Sequence, residues 1–126
     1  MDFPKELKYT KDHEWVKVDG ESATMGITQF AQEEIGEVVF VDLPGIGSEF
    51  SKGDSLCVVE STKAASDVYA PISGRVVAVN DVLSDEPGQV NEAPYESGWL
   101  VKLEGIQVEE LQDLMDAEAY ASMVQR

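Results

Sequence analysis

The stretch from Val58 to Val79, VVESTKAASDVYAPISGRVVAV, constrains the fold of this chain more than any other segment. Leu56 to Glu60 is apolar, Ser61 to Ala65 is small and polar, and Val68 to Val79 is apolar again, broken only by Pro71 and Ser73-Gly74. Apolar, β-branched runs this short, bounded by turn residues, predict strands rather than helices. Two strands are therefore expected to flank an exposed tip with Lys63 at its apex.

The same punctuation recurs along the chain. Trp15, Val16 and Val18 suggest a strand within Lys8 to Val18, which Asp19-Gly20 turns back into Ser22 to Ile27. Thr28 can cap a short helix running to Ile35, with Phe30, Ala31 and Ile35 on one face and Gly36 ending it. Glu37 to Leu43 reads as a strand. Pro44 to Gly47 and Lys52 to Asp54 read as turns, with a short extended piece between them. Ser84 to Gly88 reads as a surface turn or short helix, and Gly98 to Leu103 as a late strand. From Val108 the pattern becomes helical, with Leu111, Leu114 and Met115 at helix spacing and Asp116 capping a second piece that carries Tyr120, Met123 and Val124. Short strands separated by frequent turns predict a mainly β, antiparallel sandwich or barrel with appended helices. A length of 126 residues fits one domain, 1–126.

Charge narrows the partners. Asp and Glu number 25 against 9 Lys and Arg, for a formal charge of -16, and that field repels nucleic acid and anionic membrane surfaces. It either keeps the chain soluble or steers it onto basic patches of partner proteins. Cys57 is the only cysteine, so no intramolecular disulfide can form, and its apolar neighbours predict a buried strand residue. The start of the chain shows neither a secretion signal nor a transit pattern, and no run reaches membrane-spanning length, which leads to a cytoplasmic expectation.

A carrier must offer one side chain to a modifying enzyme and later to several active sites, so that side chain must project from a stiff turn with small neighbours. Ser61, Thr62, Ala64, Ala65 and Ser66 provide the small neighbours, and Val58, Val59, Val68 and Tyr69 can brace the turn. An ordinary lysine is protonated near neutrality and is a poor nucleophile. Lys63 is thus expected to be a substrate for acylation, and the carboxylates of Glu60 and Asp67 argue against a Schiff-base role. The other lysines lie inside strand patterns, at a Gly turn or near the terminus, where they read as surface residues.

Glu60 to Asp67 followed by Ala70-Pro71-Ile72-Ser73-Gly74 resembles the lysine hairpin of lipoyl and biotinyl carrier domains, and most closely that of glycine cleavage H proteins. Tyr9 to Val16, Met25 to Thr28, Gly36 to Pro44, Asn91 to Tyr95, Gly98 to Leu100 and Leu114 to Tyr120 resemble further blocks of that family, so the resemblance covers nearly the whole chain. It implies a barrel-sandwich hybrid with a short internal helix and C-terminal helices. It implies lipoate in amide linkage on Lys63, attached by a lipoate ligase or lipoyl transferase. The implied partners are a pyridoxal-phosphate (PLP) glycine decarboxylase, a tetrahydrofolate-dependent aminomethyltransferase and dihydrolipoyl dehydrogenase, between which the arm shuttles an aminomethyl group. The implied chain is a carrier and not an enzyme.

The family folds its loaded arm into a cleft on the carrier, where Glu14 could pair with the protonated amine; the alternative is a solvated carboxylate beside a strand. Glu34 stands where relatives can carry a histidine. His13, the only histidine, reads as a structural hydrogen-bonding residue, and Trp15 and Trp99 as packing residues. No Cys/His cluster has metal spacing. Three rival readings are a biotin carrier, whose flanking methionines are replaced here by Thr62 and Ala64, a lipoyl relay for other lipoate-dependent complexes, and an enzyme using Cys57 with His13.

Overall fold

The computed structural model describes residues 3–124. Its strands are β1 (Lys8–Tyr9), β2 (Glu14–Asp19), β3 (Ser22–Ile27), β4 (Val38–Asp42), β5 (Glu49–Phe50), β6 (Ser55–Ser61), β7 (Ala65–Tyr69), β8 (Gly74–Val79) and β9 (Val101–Glu104). The helices are α1 (Gln29–Ile35), α2 (Val82–Asp85), α3 (Gln89–Glu92), a 3₁₀ segment (Val108–Asp113) and α4 (Ala117–Val124). All pairings are antiparallel, giving one sheet of order β1-β2-β3-β9-β8-β5 and a second of order β4-β6-β7. The expected mainly β barrel-sandwich architecture with an internal helix and a C-terminal helix is thus present. No helix among the described residues is long and apolar enough to cross a membrane.

Local chemistry accounts for most element ends. The β2–β3 hairpin pairs Asp19 with Ser22 and turns through Gly20 at φ 64, a left-handed value that glycine adopts without penalty. The Thr28 side chain accepts from the Ala31 amide at 3.1 Å and caps α1, and Gly36 closes it at φ 90 with its N–H on the Gln32 carbonyl. Between the sheets lie Val16, Met25, Val41, Val59, Val68, Ile72, Val76, Leu100 and Leu103, all buried. Each contributes roughly 1.5–3 kcal/mol of transfer free energy before its ordering cost. A second cluster joins Leu7, Tyr9 and Trp15 to Ala117 and Tyr120 of α4, where Tyr120 stacks on Tyr9 with ring centroids 4.8 Å apart.

Three expectations need correction. The apolar return from Val68 to Val79 is not one strand: β7 pairs with β6 in the small sheet, whereas β8 pairs with β9 and β5 in the large one. Pro71 cannot donate to a ladder, so the chain changes sheets there. Leu114 and Met115 are not helical. Met115 exchanges backbone hydrogen bonds of 2.8 Å in both directions with Tyr9, and that pairing holds the chain extended until Asp116 caps α4 through the Ala119 amide. Gly98 to Leu100 precede the late strand instead of belonging to it, because the Gly98 and Trp99 amides close turns onto Ala93 and Glu96.

Candidate functional site

Lys63 is the middle of the three residues that connect β6 to β7, just beyond the last cross-strand pair, Glu60 with Ala65. Ser61 organises that turn. Its amide donates to the Ala64 carbonyl at 2.8 Å, and its hydroxyl accepts from the amides of Lys63 and Ala64 at 3.2 and 3.1 Å. The Thr62 amide donates to the Glu37 carbonyl at 3.1 Å, fastening the tip to the start of β4. Thr62, Lys63, Ala64 and Ala65 are exposed, while Val59 and Val68 lie buried beneath them. No carboxylate among the described residues forms an ion pair with the Lys63 ammonium. The lysine stem lies across Gly36, where an added Cβ would come within 3.1 Å of Lys63 Cε.

Sequence reasoning gave no role to Asn91, which braces this corner. Its Oδ1 accepts from the Val38 amide at 2.8 Å, and its Nδ2 donates to Gln32 Oε1 and to the Gly36 carbonyl, both at 2.9 Å. One amide thus joins α1, its glycine cap and β4. The only signal for it was its place in the segment Asn91 to Tyr95, because partners 53 to 59 positions away leave no local pattern.

Glu14 begins β2 and is 2% exposed, so the solvated alternative does not hold. A turn closed by the His13 amide on the Thr10 carbonyl, with His13 at φ 72, directs the carboxyl inward. There it accepts from the Thr10 hydroxyl and from the Tyr69 amide, and burial pushes its pKa up to about 7 against the opposing pull of those two hydrogen bonds. It forms part of a cleft of ≈ 490 Å³ bordered by Thr10, Asp12, Tyr69, Pro71 and Met115. Lys63 and Glu14 are not in contact. They lie beyond opposite ends of β7, a strand of about 13 Å at roughly 3.3 Å per residue, which a lysine stem lengthened by a medium-chain acyl group can span.

The other candidates separate cleanly. Cys57 is buried on β6 with its thiol pushed up to about 12, chiefly by burial, so it carries no thiolate for nucleophilic chemistry. His13 Nδ1 lies 2.8 Å from the Tyr120 hydroxyl, which is also 2.7 Å from the Thr28 hydroxyl, so the histidine is bound to the C-terminal helix. Trp15 is buried with its Nε1 donating to the Pro94 carbonyl at 3.0 Å, and Trp99 is half-buried beneath the Lys102 ammonium.

A two-sheet β fold that displays a single lysine on a braced hairpin, with a buried carboxyl in a cleft at the far end of the same strand, is the architecture of a carrier domain. The glycine cleavage H-protein family model matches residues 7–126. The chain is 50% identical over 125 residues to the glycine cleavage system H protein of Anaeromyxobacter sp. (strain K), covering 99% of this chain and 98% of that one. It is 52% identical over 122 residues to the Carboxydothermus hydrogenoformans protein of the same name, covering 97% and 94%. The crystal structure of a glycine cleavage system H protein from Mycobacterium marinum superposes with a TM-score of 0.86 at 37% identity, covering 96% of this chain and 98% of the other. The chain belongs to the glycine cleavage H-protein family.

Proposed function

We propose that this chain carries lipoate in amide linkage on Lys63 and shuttles aminomethyl cargo of the glycine cleavage system. Its stations are the PLP-dependent glycine decarboxylase, the tetrahydrofolate-dependent aminomethyltransferase and dihydrolipoyl dehydrogenase, after a lipoate ligase or lipoyl transferase has acylated the lysine. The observation that carries this reading is the exposed Lys63, without an ion-pair partner among the described residues, on a turn stitched by Ser61 and Thr62. Such a turn meets each enzyme already ordered, which avoids a cost on the order of 1 kcal/mol for every residue that docking would otherwise fix.

When bound, the group supplies a dithiolane that takes up and releases cargo through sulfur. The residues present fit it: Lys63 offers an accessible amine for the amide, and the cleft at the far end of β7 offers a place for the loaded end. Glu14 presents a carboxyl there that changes charge near neutrality, so it can receive an ammonium group and hold it by a charge-assisted hydrogen bond away from bulk water. Thr10 and the Tyr69 amide fix the orientation of that carboxyl. A cytoplasmic setting, in which the lone Cys57 stays reduced, completes the reading.

Peptide mass spectrometry across residues 53 to 75, before and after incubation with a lipoate ligase, tests it. A lipoyl mass increment on Lys63 that is absent in Lys63→Arg is expected. A Lys63→Arg protein that still acquires lipoate would overturn the site. A lipoylated protein that fails to support glycine decarboxylation with the partner enzymes would instead favour the relay role.

A further inference from the structure

The small sheet has an outer face that the carrier reading leaves unexplained. Its cross-strand rows are set by register: Phe40 opposite Glu60 opposite Ala65, then Asp42 opposite Val58 opposite Asp67. Those rows face outward, whereas the intervening row of Val41, Val59 and Ser66 faces the core. An ordinary strand would alternate, exposing either Val39 or Phe40. Here the register shifts between Val38 and Phe40, and the bulge turns both outward, to 50% and 52% exposure. Two adjacent large apolar side chains are thereby held in water within a few residues of the Lys63 tip, which the Thr62 amide ties to Glu37 at the start of the same strand.

The surroundings of that apolar pair carry one sign of charge. Asp42, Glu60 and Asp67 are exposed on the same face, and Glu37 is exposed beside it. Lys63 is the only cation in β4, β6, β7 and the turn that joins the last two. A second copy of the chain is a poor occupant, because self-association would oppose this carboxylate set to its duplicate, in molecules that each carry a formal charge of -16. Anionic membrane is excluded on the same ground. An apolar centre with an acidic rim matches a protein surface of opposite pattern: an apolar pocket edged by lysine and arginine.

We propose that the outer face of the β4-β6-β7 sheet is the docking surface for the enzyme that acylates Lys63, with Phe40 and Val39 seated in an apolar pocket and basic side chains opposite Asp42, Glu60 and Asp67. This rests on Lys63 being the acceptor. The geometry suits the task, because the same sheet carries the docking residues and the acceptor, so contact at Phe40 fixes where the amine arrives. Acylation removes the face's single positive charge.

The test is kcat/KM for acylation by a lipoate ligase, measured on the intact protein and on Phe40→Ser, Val39→Ser and Ile46→Ser. Ile46, 68% exposed on the loop beyond the far end of β4, is the apolar control. Urea midpoints verify that each variant is folded. Phe40→Ser and Val39→Ser are expected to lose about tenfold, as for central interface residues, while Ile46→Ser stays at the parent value. The parent rate should fall as salt rises from low to physiological strength, since the rim contacts are screened. Equal rates for Phe40→Ser and the parent would overturn the docking surface while leaving Lys63 the acceptor. No acylation of the parent at all would instead defeat the carrier reading. Sedimentation that shows a dimer broken by Phe40→Ser would assign the face to self-association and also overturn the proposal.

Discussion

The Tyr69 amide donates a hydrogen bond of 3.2 Å to Glu14 Oε2 across 55 positions of sequence. That bond joins the last residue of β7 in the small sheet to the first residue of β2 in the large one. Lys63 stands beyond the other end of β7, so one strand connects the displayed lysine to the cleft carboxyl. Tyr69 also pairs with Ser55, and Ala70 exchanges backbone hydrogen bonds with Gly53 and Asp54, so this end of β7 is fixed from both sheets.

Burial of Glu14 makes stability depend on pH in a direction opposite to that of an ion-paired carboxylate. Its folded pKa, about 7, is above the ordinary carboxylate value of 4.5. Between those two values the unfolded chain has released the proton that the folded chain still holds, so stability falls as pH rises through this window, by up to about 1.4 kcal/mol per pH unit. His13, whose pKa burial lowers, acts in the opposite direction as pH falls below the usual imidazole range. Glu14→Gln isolates the first effect. The parent's urea midpoint should fall relative to that of Glu14→Gln as pH rises from 5 to 7.5, because the His13 contribution is common to both. Parallel pH profiles for the two proteins would show that the carboxyl is ionised when folded.

The Tyr120 hydroxyl lies within hydrogen-bond reach of His13 Nδ1 and Thr28 Oγ1, and Thr28 Oγ1 in turn caps α1. Tyr120→Phe keeps the ring that stacks on Tyr9 and removes only the polar bridge. It leaves a buried threonine and a half-buried imidazole short of a partner, at a cost of about 1–2 kcal/mol. Urea denaturation measures it. An unchanged midpoint would mean that water replaces the hydroxyl at no cost.

Lys63, its small flanks, the α1 caps and the β2–β3 hairpin were legible because each is written in contiguous residues. The split of Val68 to Val79 between two sheets was not, since apolar spacing reports burial and not which partner strand provides it. The extended Leu114-Met115 segment escaped for a related reason: its backbone bonds go to Tyr9, and helix-spaced apolar residues look the same whether or not a distant strand captures them. Glu14 could be named from the family resemblance, but its burial could not. The residues that enclose it, Thr10, Tyr69 and Met115, come from three separate parts of the chain.

Cys57 is expected to resist thiol reagents in the folded protein. It is buried between strands, and lack of solvation together with nearby Asp42 pushes its thiol up to about 12, so scarcely any thiolate is present at pH 8. Reaction with a disulfide reagent should follow global opening, with a rate that rises in proportion to the unfolded fraction as urea is added. Rapid labelling in the absence of urea would show that β6 opens locally, which the rigid support of the Lys63 hairpin does not permit.

Two glycines differ in how tightly an added Cβ would be crowded. Gly74 begins β8 and is not among the left-handed glycines. What it lacks is room: an added Cβ would meet the Glu104 carbonyl at 3.1 Å, Leu103 Cβ at 3.2 Å and Ile106 Cγ2 at 3.3 Å. Each of these contacts, the backbone carbonyl included, is relieved by a shift of a few tenths of an ångström, so Gly74→Ala should cost about 1 kcal/mol and the branched Gly74→Val about 3. At Gly98 the same Cβ would meet backbone atoms, the Gln89 carbonyl at 2.5 Å and the Ala93 carbonyl at 2.8 Å. Those carbonyls belong to α3 and its cap, which carries Asn91, so relief would displace the side chain that braces Gly36 and Val38. Gly98→Ala should therefore cost at least about 3 kcal/mol and also slow acylation of Lys63, whereas Gly74→Ala leaves that rate unchanged. Urea midpoints paired with ligase rates decide this, and equal penalties at the two positions would mean that α3 moves without transmitting its displacement to the hairpin.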